Sequence, residues 1–431
     1  MIQLHSKKKV SLNSSFILLE KLMKIFTYFL SSILIARLGG AILFGTYTSI
    51  LSVTVILTAI SALGLNSLLA KEFINSIEES EKSLANSLAI RIISSLFFFS
   101  VSIPVIIFLV GVNIKVAILS SLIILLCATQ IVDLFFESRL KSHTVAKYKI
   151  FGYLIGFFLK CTSVYYSDSI LLLIIAHLIE LVIILIFSLV EISKELKYKP
   201  WFSIDNLDKK YAFELIKKGI PLTFSSVAAI LYMKIDQVFI VNMLGKESAG
   251  YYSAAVRLCE GVFIISAIIV PSIFPNMVSL YKNNINKFDN FIGKFICLFL
   301  LFGSLIALFI WFFSDFIIVF IYGDEYKESI NVLKWYCLSI PIVYLGDLFS
   351  RWIITTDNII LSLKRHVLGL SVNVTLNIIL IPKYGISGAA MASFIGYLFA
   401  VIIFSVVSSK GRFFYSFMRK SNEESNKKYS I

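Results

Sequence analysis

The chain has 431 residues, 58% of them hydrophobic and only 15% charged. Its mean hydropathy of +0.87 lies far outside the range of soluble globular proteins. The net charge of +14 would suit a nucleic-acid binder. Most of the 40 Lys and Arg, however, fall on one set of alternate loops and on the two tails, which reads as membrane topology and attraction to anionic headgroups. No nucleic-acid partner is expected.

In chain order, the basic cluster Lys7–Lys9 precedes an apolar run that continues to Leu38 without a small-residue cleavage site. This run is expected to be a first span and not a removable signal peptide. Twelve spans are expected, beginning near Ser15, Gly45, Leu88, Val116, Tyr148, Asp168, Ile220, Tyr252, Phe291, Asn331, Ser362 and Ser387. Runs such as SILLLIIAHLIELVIILIFSLV and FICLFLLFGSLIALFIWFF are about 20 residues long, enough to cross the hydrocarbon. A β-barrel would need short alternating strands instead. The fold class expected is therefore an all-α polytopic membrane protein of twelve transmembrane helices. The basic stretches at Lys7–Lys9, after Ser138 (RLKSHTVAKYK), near the midpoint and in the tail RKSNEESNKK place both termini in the cytoplasm.

Six spans precede and six follow a polar midpoint segment, so the expected division is a bundle over 1–190, a cytoplasmic linker over 191–219, a second bundle over 220–408 and a basic tail over 409–431. The linker carries Pro200 and amphipathic aromatic residues and is expected to lie along the membrane surface. LGGAILFGTY at 38–47 is echoed by LGKESAGYY at 244–252, an offset of about 205 residues, as in parallel-repeat transporters. Glycine suits such tight turns because its backbone angles are cheap only without a side chain. Pro221 is expected in the first turn of the seventh span, and Pro104, Pro271, Pro275 and Pro341 inside spans as kinks. IIVPSIFPNM is the best hinge candidate, with a static packing kink as the alternative. The cysteines Cys127, Cys161, Cys259, Cys297 and Cys337 stand singly and read as small core residues, with neither disulfide nor metal spacing.

Three stretches carry a family resemblance: FIYGDEYKESINVLKWYCLSIPIVYLGDLF at 320–349, IPKYGISGAAMASFIGYLF at 381–399, and the Lys234-Ile-Asp236 step that leads through Leu-Gly to Gly-Tyr-Tyr-Ser-Ala-Ala. In this order, across the whole chain, they resemble the Wzx-type O-antigen and capsule flippases. These belong to the multidrug/oligosaccharidyl-lipid/polysaccharide exporter superfamily. The resemblance implies a MATE-like arrangement of two six-helix bundles around a V-shaped central cavity. It also implies a substrate, an oligosaccharide repeat unit on undecaprenyl pyrophosphate, moved from the cytoplasmic to the periplasmic leaflet of the bacterial inner membrane. The implied partners are that lipid-linked substrate, the bilayer and, in the same pathways, a polysaccharide polymerase and a chain-length regulator. No cofactor or metal is implied.

Charges inside spans cost about 2.5–3.5 kcal/mol each at mid-depth, so they must face a wet cavity or one another. Two readings of Asp236 are open: a structural ion pair with Arg257, or a place with Lys160, Lys234 and Arg257 on the wall of a substrate cavity, where the cations bind pyrophosphate. Lys234 and Asp236, two apart, point about 200° apart on a helix, so at most one faces a cavity squarely. About 206 residues earlier stand Tyr28 and Leu30, so the charges are not repeated. Lys24 and Glu260 are further cavity candidates. His177 and Glu180, three apart, read either as a proton-responsive pair or as part of an interhelical hydrogen bond. Asp347 and Arg351 are expected to neutralise each other, and Asp133 with Glu137 to form an acidic rim pair.

No Walker motif or outward nucleophile–base arrangement is seen, which favours potential-driven alternating access over ATP-driven transport or catalysis. A cation-coupled multidrug exporter of the same superfamily is the nearest alternative, and a polysaccharide polymerase a more distant one.

Overall fold

The computed structural model describes residues 2–73, 77–196 and 207–408. Among these residues it is helical with no strand. The elements are α1 Ile2–Ser61, α2 Leu65–Glu72, α3 Ile77–Val110, α4 Ile114–Leu126, α5 Gln130–Ser138, α6 Ser142–Tyr166, α7 Ile170–Glu195, α8 Lys209–Met243 and α9 Lys246–Asn283. They continue with α10 Ile285–Phe312, α11 Ser314–Tyr322, α12 Ser329–Cys337, α13 Ile340–Thr355, α14 Ile359–Tyr384, α15 Ile386–Leu398 and α16 Phe404–Val407.

Nine helices among the described residues are long and apolar enough to cross a membrane, or ten with the bent pair Ser329–Cys337 and Ile340–Thr355. The difference from twelve has local causes. The stretch Ser15–Ser61 is one 47-residue helical run, about twice what a bilayer requires, and it is interrupted at Gly40. Helix α6 is 25 residues long but carries Lys147, Lys149 and Lys160, which hold its hydropathy down. The bent pair turns by 44° just before Pro341, which sits in the first turn of α13, so this proline lies inside the broken span at its kink. Pro221 moves the opposite way. Because α8 starts at Lys209, Pro221 lies well inside that helix and not at its start.

That start has a clear cause. Asp208 Oδ1 accepts from the backbone N–H groups of Lys210 and Tyr211 at 2.9 and 3.2 Å, the bonds of an N-cap. Its own N–H donates to Asn86 Oδ1, and Lys82 Nζ reaches its carboxylate at 2.8 Å. The hydrogen bond from Lys82 holds the Asp208 carboxyl below the usual carboxylate range. Residues 197–206, including Pro200, and the tail 409–431 lie outside the described residues. The flanks of the expected linker are helix: Glu191–Glu195 end α7, and Lys209–Gly219 open α8.

The chain divides into two compact units, Met1–Ile230 and Leu231–Ile431. In the first, α1 packs along α6, α6 on α7, and α3 on α4. One end is filled by Leu65, Leu69, Phe73, Phe135, Phe136 and Leu215, with Phe73 edge-on to Phe135 at 5.6 Å. In the second, α14 and α15 form a hairpin, α13 packs against α9 and α10, and α12 against α9 and α15. Outward faces are greasy: Phe108, Phe158, Phe312 and Phe320 are exposed, the arrangement expected where lipid replaces water. Cys297 is also exposed, unlike the buried Cys259 and Cys337, so it is no core residue.

The echo between the two halves reaches the backbone. Gly40 breaks α1 at φ 72°, ψ 175°. Gly245 stands between α8 and α9 at φ 92°, ψ 179°, 205 positions later. This region is essentially closed to residues with a Cβ. An added Cβ at Gly245 would meet nothing within 4 Å, so substitution there tests backbone strain alone. Gly245→Ala should destabilise the purified protein by about 1–3 kcal/mol, read as a lower thermal-unfolding midpoint in detergent. An unchanged midpoint would contradict the strained-turn account.

Candidate functional site

Three groups of polar side chains stand in the helical interior. The first is built around Glu180 on α7. Lys160 Nζ of α6 donates to its Oε2 at 2.6 Å, and the Tyr28 hydroxyl of α1 donates to Oε1 at 2.7 Å. The Lys160 and Glu180 side chains are 2% and 1% exposed, so this pair is sealed from solvent. Lys160 also lies 4.6 Å from the centroid of the Tyr28 ring. Gly156 on α6 makes room for the carboxylate, since a Cβ there would come within 2.8 Å of Glu180 Cβ and Cδ. His177 Nδ1 stays 3.9 Å from Glu180, outside hydrogen-bond reach, and packs edge-on to Tyr28 and Tyr47. The hydrogen bonds of Glu180 therefore go to Lys160 and Tyr28 and not to His177. Lys24, by contrast, is exposed and sits over the Tyr28 and Tyr153 rings at 5.9 and 6.0 Å.

The second group surrounds Asp236 on α8, which is 2% exposed. Its Oδ1 accepts from Asn373 at 2.9 Å and Asn377 at 2.5 Å, both on α14. Its Oδ2 accepts from Tyr252 of α9 at 2.9 Å and from Ser393 of α15. Every partner is neutral. Asp236 makes no ion pair with Arg257, so the salt-bridge reading of these two residues is replaced by a cage of neutral donors that joins four helices. Asn373 and Asn377 were visible only as two asparagines four apart in SVNVTLNIIL, a spacing that puts both on one helix face.

The third group is where Arg257 goes. Glu260 of α9 accepts from Lys234 of α8 at 2.6 Å and from Arg257, one turn earlier on α9, at 3.3 Å. Two cations thus share one carboxylate. The side chains of Lys234, Glu260 and Arg257 are 25%, 19% and 28% exposed, so the group is only half sealed. Lys234 and Asp236 have separate surroundings, as their 200° separation requires.

Two other expectations change. Asp347 and Arg351 do not pair: Asp347 accepts from Ser266 at 2.6 Å, and the Arg351 guanidinium lies 5.2 Å from the Phe274 ring centroid. Asp133 is held by Lys149 at 2.5 Å rather than standing as one of a bare acidic pair. Two buried arginines escaped sequence reading. Arg365 donates to the Gly346 carbonyl and the Ser350 hydroxyl, and Arg91 is 1% exposed. Among the described residues no cluster of three or more His, Cys, Asp or Glu is arranged to hold a metal ion.

Removing one partner of a sealed ion pair strands the other charge, which costs about 3–5 kcal/mol. Glu180→Ala should therefore lower the unfolding midpoint far more than Glu260→Ala, whose cations retain access to solvent. Equal losses would contradict the distinction between a sealed and an open group.

The family model described as polysaccharide biosynthesis protein matches residues 34–331. The capsular polysaccharide biosynthesis protein CapF of Staphylococcus aureus is 26% identical over 44% of this chain and 48% of its own length. The probable low-salt glycan biosynthesis flippase Agl15 of Haloferax volcanii is 27% identical over 51% of this chain and 45% of its own. The chain spans about half the length of the curated relatives it matches. Among solved structures, the lipid II flippase MurJ in an inward closed conformation superposes with a TM-score of 0.74 at 19% identity, over 95% of this chain and 90% of that one. An inward-facing multidrug resistance MATE family transporter also gives 0.74, at 14% identity over 92% and 96%. These likenesses place the chain in the MurJ/MATE-type fold. With the family model covering well over half its length, the chain belongs to the polysaccharide biosynthesis protein family.

Proposed function

We propose that this protein is a flippase that moves undecaprenyl-pyrophosphate-linked oligosaccharide repeat units, of O-antigen or capsule, from the cytoplasmic to the periplasmic leaflet of the bacterial inner membrane by alternating access. The observation that carries the reading is the half-open group of Lys234, Arg257 and Glu260. Two cations against one carboxylate leave this group with a net positive charge. Such a group suits a pyrophosphate, to which Arg offers a planar fork of donors and Lys a mobile point charge. Glu260 holds both cations in place and competes with the phosphate for them, which favours release as well as capture. Family membership and a relative named as a glycan flippase support the reading.

Lys160, although cationic, is committed to Glu180 and has a structural role in this account. Lys24, exposed over two tyrosine rings, is the cation that the first unit offers to substrate. A substrate carrying two negative charges gains about 5 kcal/mol on leaving a cell held at 100 mV, inside negative, so no ATP is required.

The multidrug-exporter reading rests on the MATE likeness, but a cationic drug would be repelled by the Lys234–Arg257 pair. In proteoliposomes, the protein should move a fluorescent lipid-linked oligosaccharide across the bilayer faster than empty liposomes do, and collapsing the potential should slow it. Arg257→Met and Lys234→Met should each lower the initial rate about tenfold, the worth of one charge-assisted contact. Arg257→Lys should retain more of the rate than Arg257→Met. Folded Met variants that flip at the wild-type rate would remove this group as the substrate site.

A further inference from the structure

A cleft in the first unit is not used by this function. It has room for about one water-sized group, and about 230 Å³ of empty space once its open mouth is counted. Glu20 of α1, Asp133 and Glu137 of α5, and Ser142 and Lys149 of α6 line it. Three carboxylates and one ammonium thus line it, and Lys21 and Lys24 of α1 also act on Glu137 and Asp133 from outside the lining. Lys149 is spent on Asp133 at 2.5 Å and lies 3.7 Å from Glu20. Glu20 also accepts from the Tyr153 hydroxyl at 2.7 Å. Glu137 is exposed; its backbone carbonyl accepts from the Leu140 N–H at 3.1 Å, and its carboxylate makes no ion pair among the described residues.

An independent feature belongs to the lining of the same cleft. Ser142 is 3% exposed, and its backbone N–H is satisfied by Asn13 Oδ1 at 2.7 Å. Its hydroxyl has no partner. A buried hydroxyl without a hydrogen bond is costly, and a ligand that supplies one is favoured. The carboxylates are not arranged to coordinate a metal ion. What remains is a compact cation that brings its own N–H donors.

We propose that this cleft binds a primary ammonium group, R–NH₃⁺, with N–H donors to the Glu137 carboxylate and the Ser142 hydroxyl and with the remaining charge of Glu20 and Asp133 supplying attraction. The same chemistry is carried by the headgroup of an aminophospholipid and by a free amine. A quaternary ammonium has the charge but no donor, so it separates hydrogen-bond recognition from simple charge attraction.

The test uses the full chain in detergent, with thermal unfolding as one readout and equilibrium binding of short-chain lipids as the other. Methylammonium should raise the unfolding midpoint where tetramethylammonium and sodium at equal ionic strength do not. Short-chain phosphatidylethanolamine binding several-fold more tightly than phosphatidylcholine identifies a lipid source. Stabilisation by methylammonium without that lipid preference identifies a soluble amine. Glu137→Gln should weaken the preferred ligand about tenfold, as expected for loss of a charge-assisted bond, and Ser142→Ala should weaken it less. Equal effects of methylammonium, tetramethylammonium and sodium together with no lipid preference, or undiminished binding in both variants, would overturn the proposal.

Discussion

A carboxylate inside hydrocarbon must be satisfied by neighbours, because neither water nor lipid will do so. Glu180 meets this constraint with two bonds of different kinds, a charge-assisted one from Lys160 and a neutral one from Tyr28. Those bonds join α7 to α6 and α1, the same helices whose packing builds the first unit. Even Gly156 follows from it, since a side chain there would occupy the space of the carboxylate. Asp236 meets the same constraint by another route, using four neutral donors from α9, α14 and α15. In each unit one buried anion specifies how several helices pack, which apolar contacts alone do loosely.

Against those sealed anions, the group of Lys234, Arg257 and Glu260 stands out because its cations exceed its anions and solvent reaches all three side chains. An arrangement selected for stability alone would match charges and bury them or leave them outside. A transporter of anions needs a site that is positive when empty, and whose own carboxylate keeps binding weak enough for release. The difference between Glu180 and Glu260 is thus one of access, and in the proposed function access separates a structural ion pair from one that meets substrate.

Much of this was legible in the sequence. Apolar runs of membrane-crossing length gave the helical membrane class, and the echo of LGGAILFGTY in LGKESAGYY marked two glycine breaks with nearly the same backbone angles. Helix ends were harder, because apolar runs do not report polar extensions. Asp208 caps α8 thirteen residues before Pro221, and only its capping bonds reveal that. Pairings were hardest. Charge spacing suggested Asp236 with Arg257 and Asp347 with Arg351, yet every partner of Asp236 is neutral and three of them lie more than 135 positions away. Asparagine and serine in apolar helices are common, so Asn373, Asn377 and Ser393 carried no signal until the fold brought them to one carboxylate.

The most direct measurement of the central claim is made in cells. A strain of the native organism lacking this gene is scored for surface polysaccharide and for lipid-linked repeat units in the cytoplasmic leaflet. The account predicts loss of surface polysaccharide with accumulation of repeat units inside, reversed by the wild-type chain and not by a stably folded Arg257→Met, Lys234→Met double variant. Normal surface polysaccharide with no accumulation would contradict it.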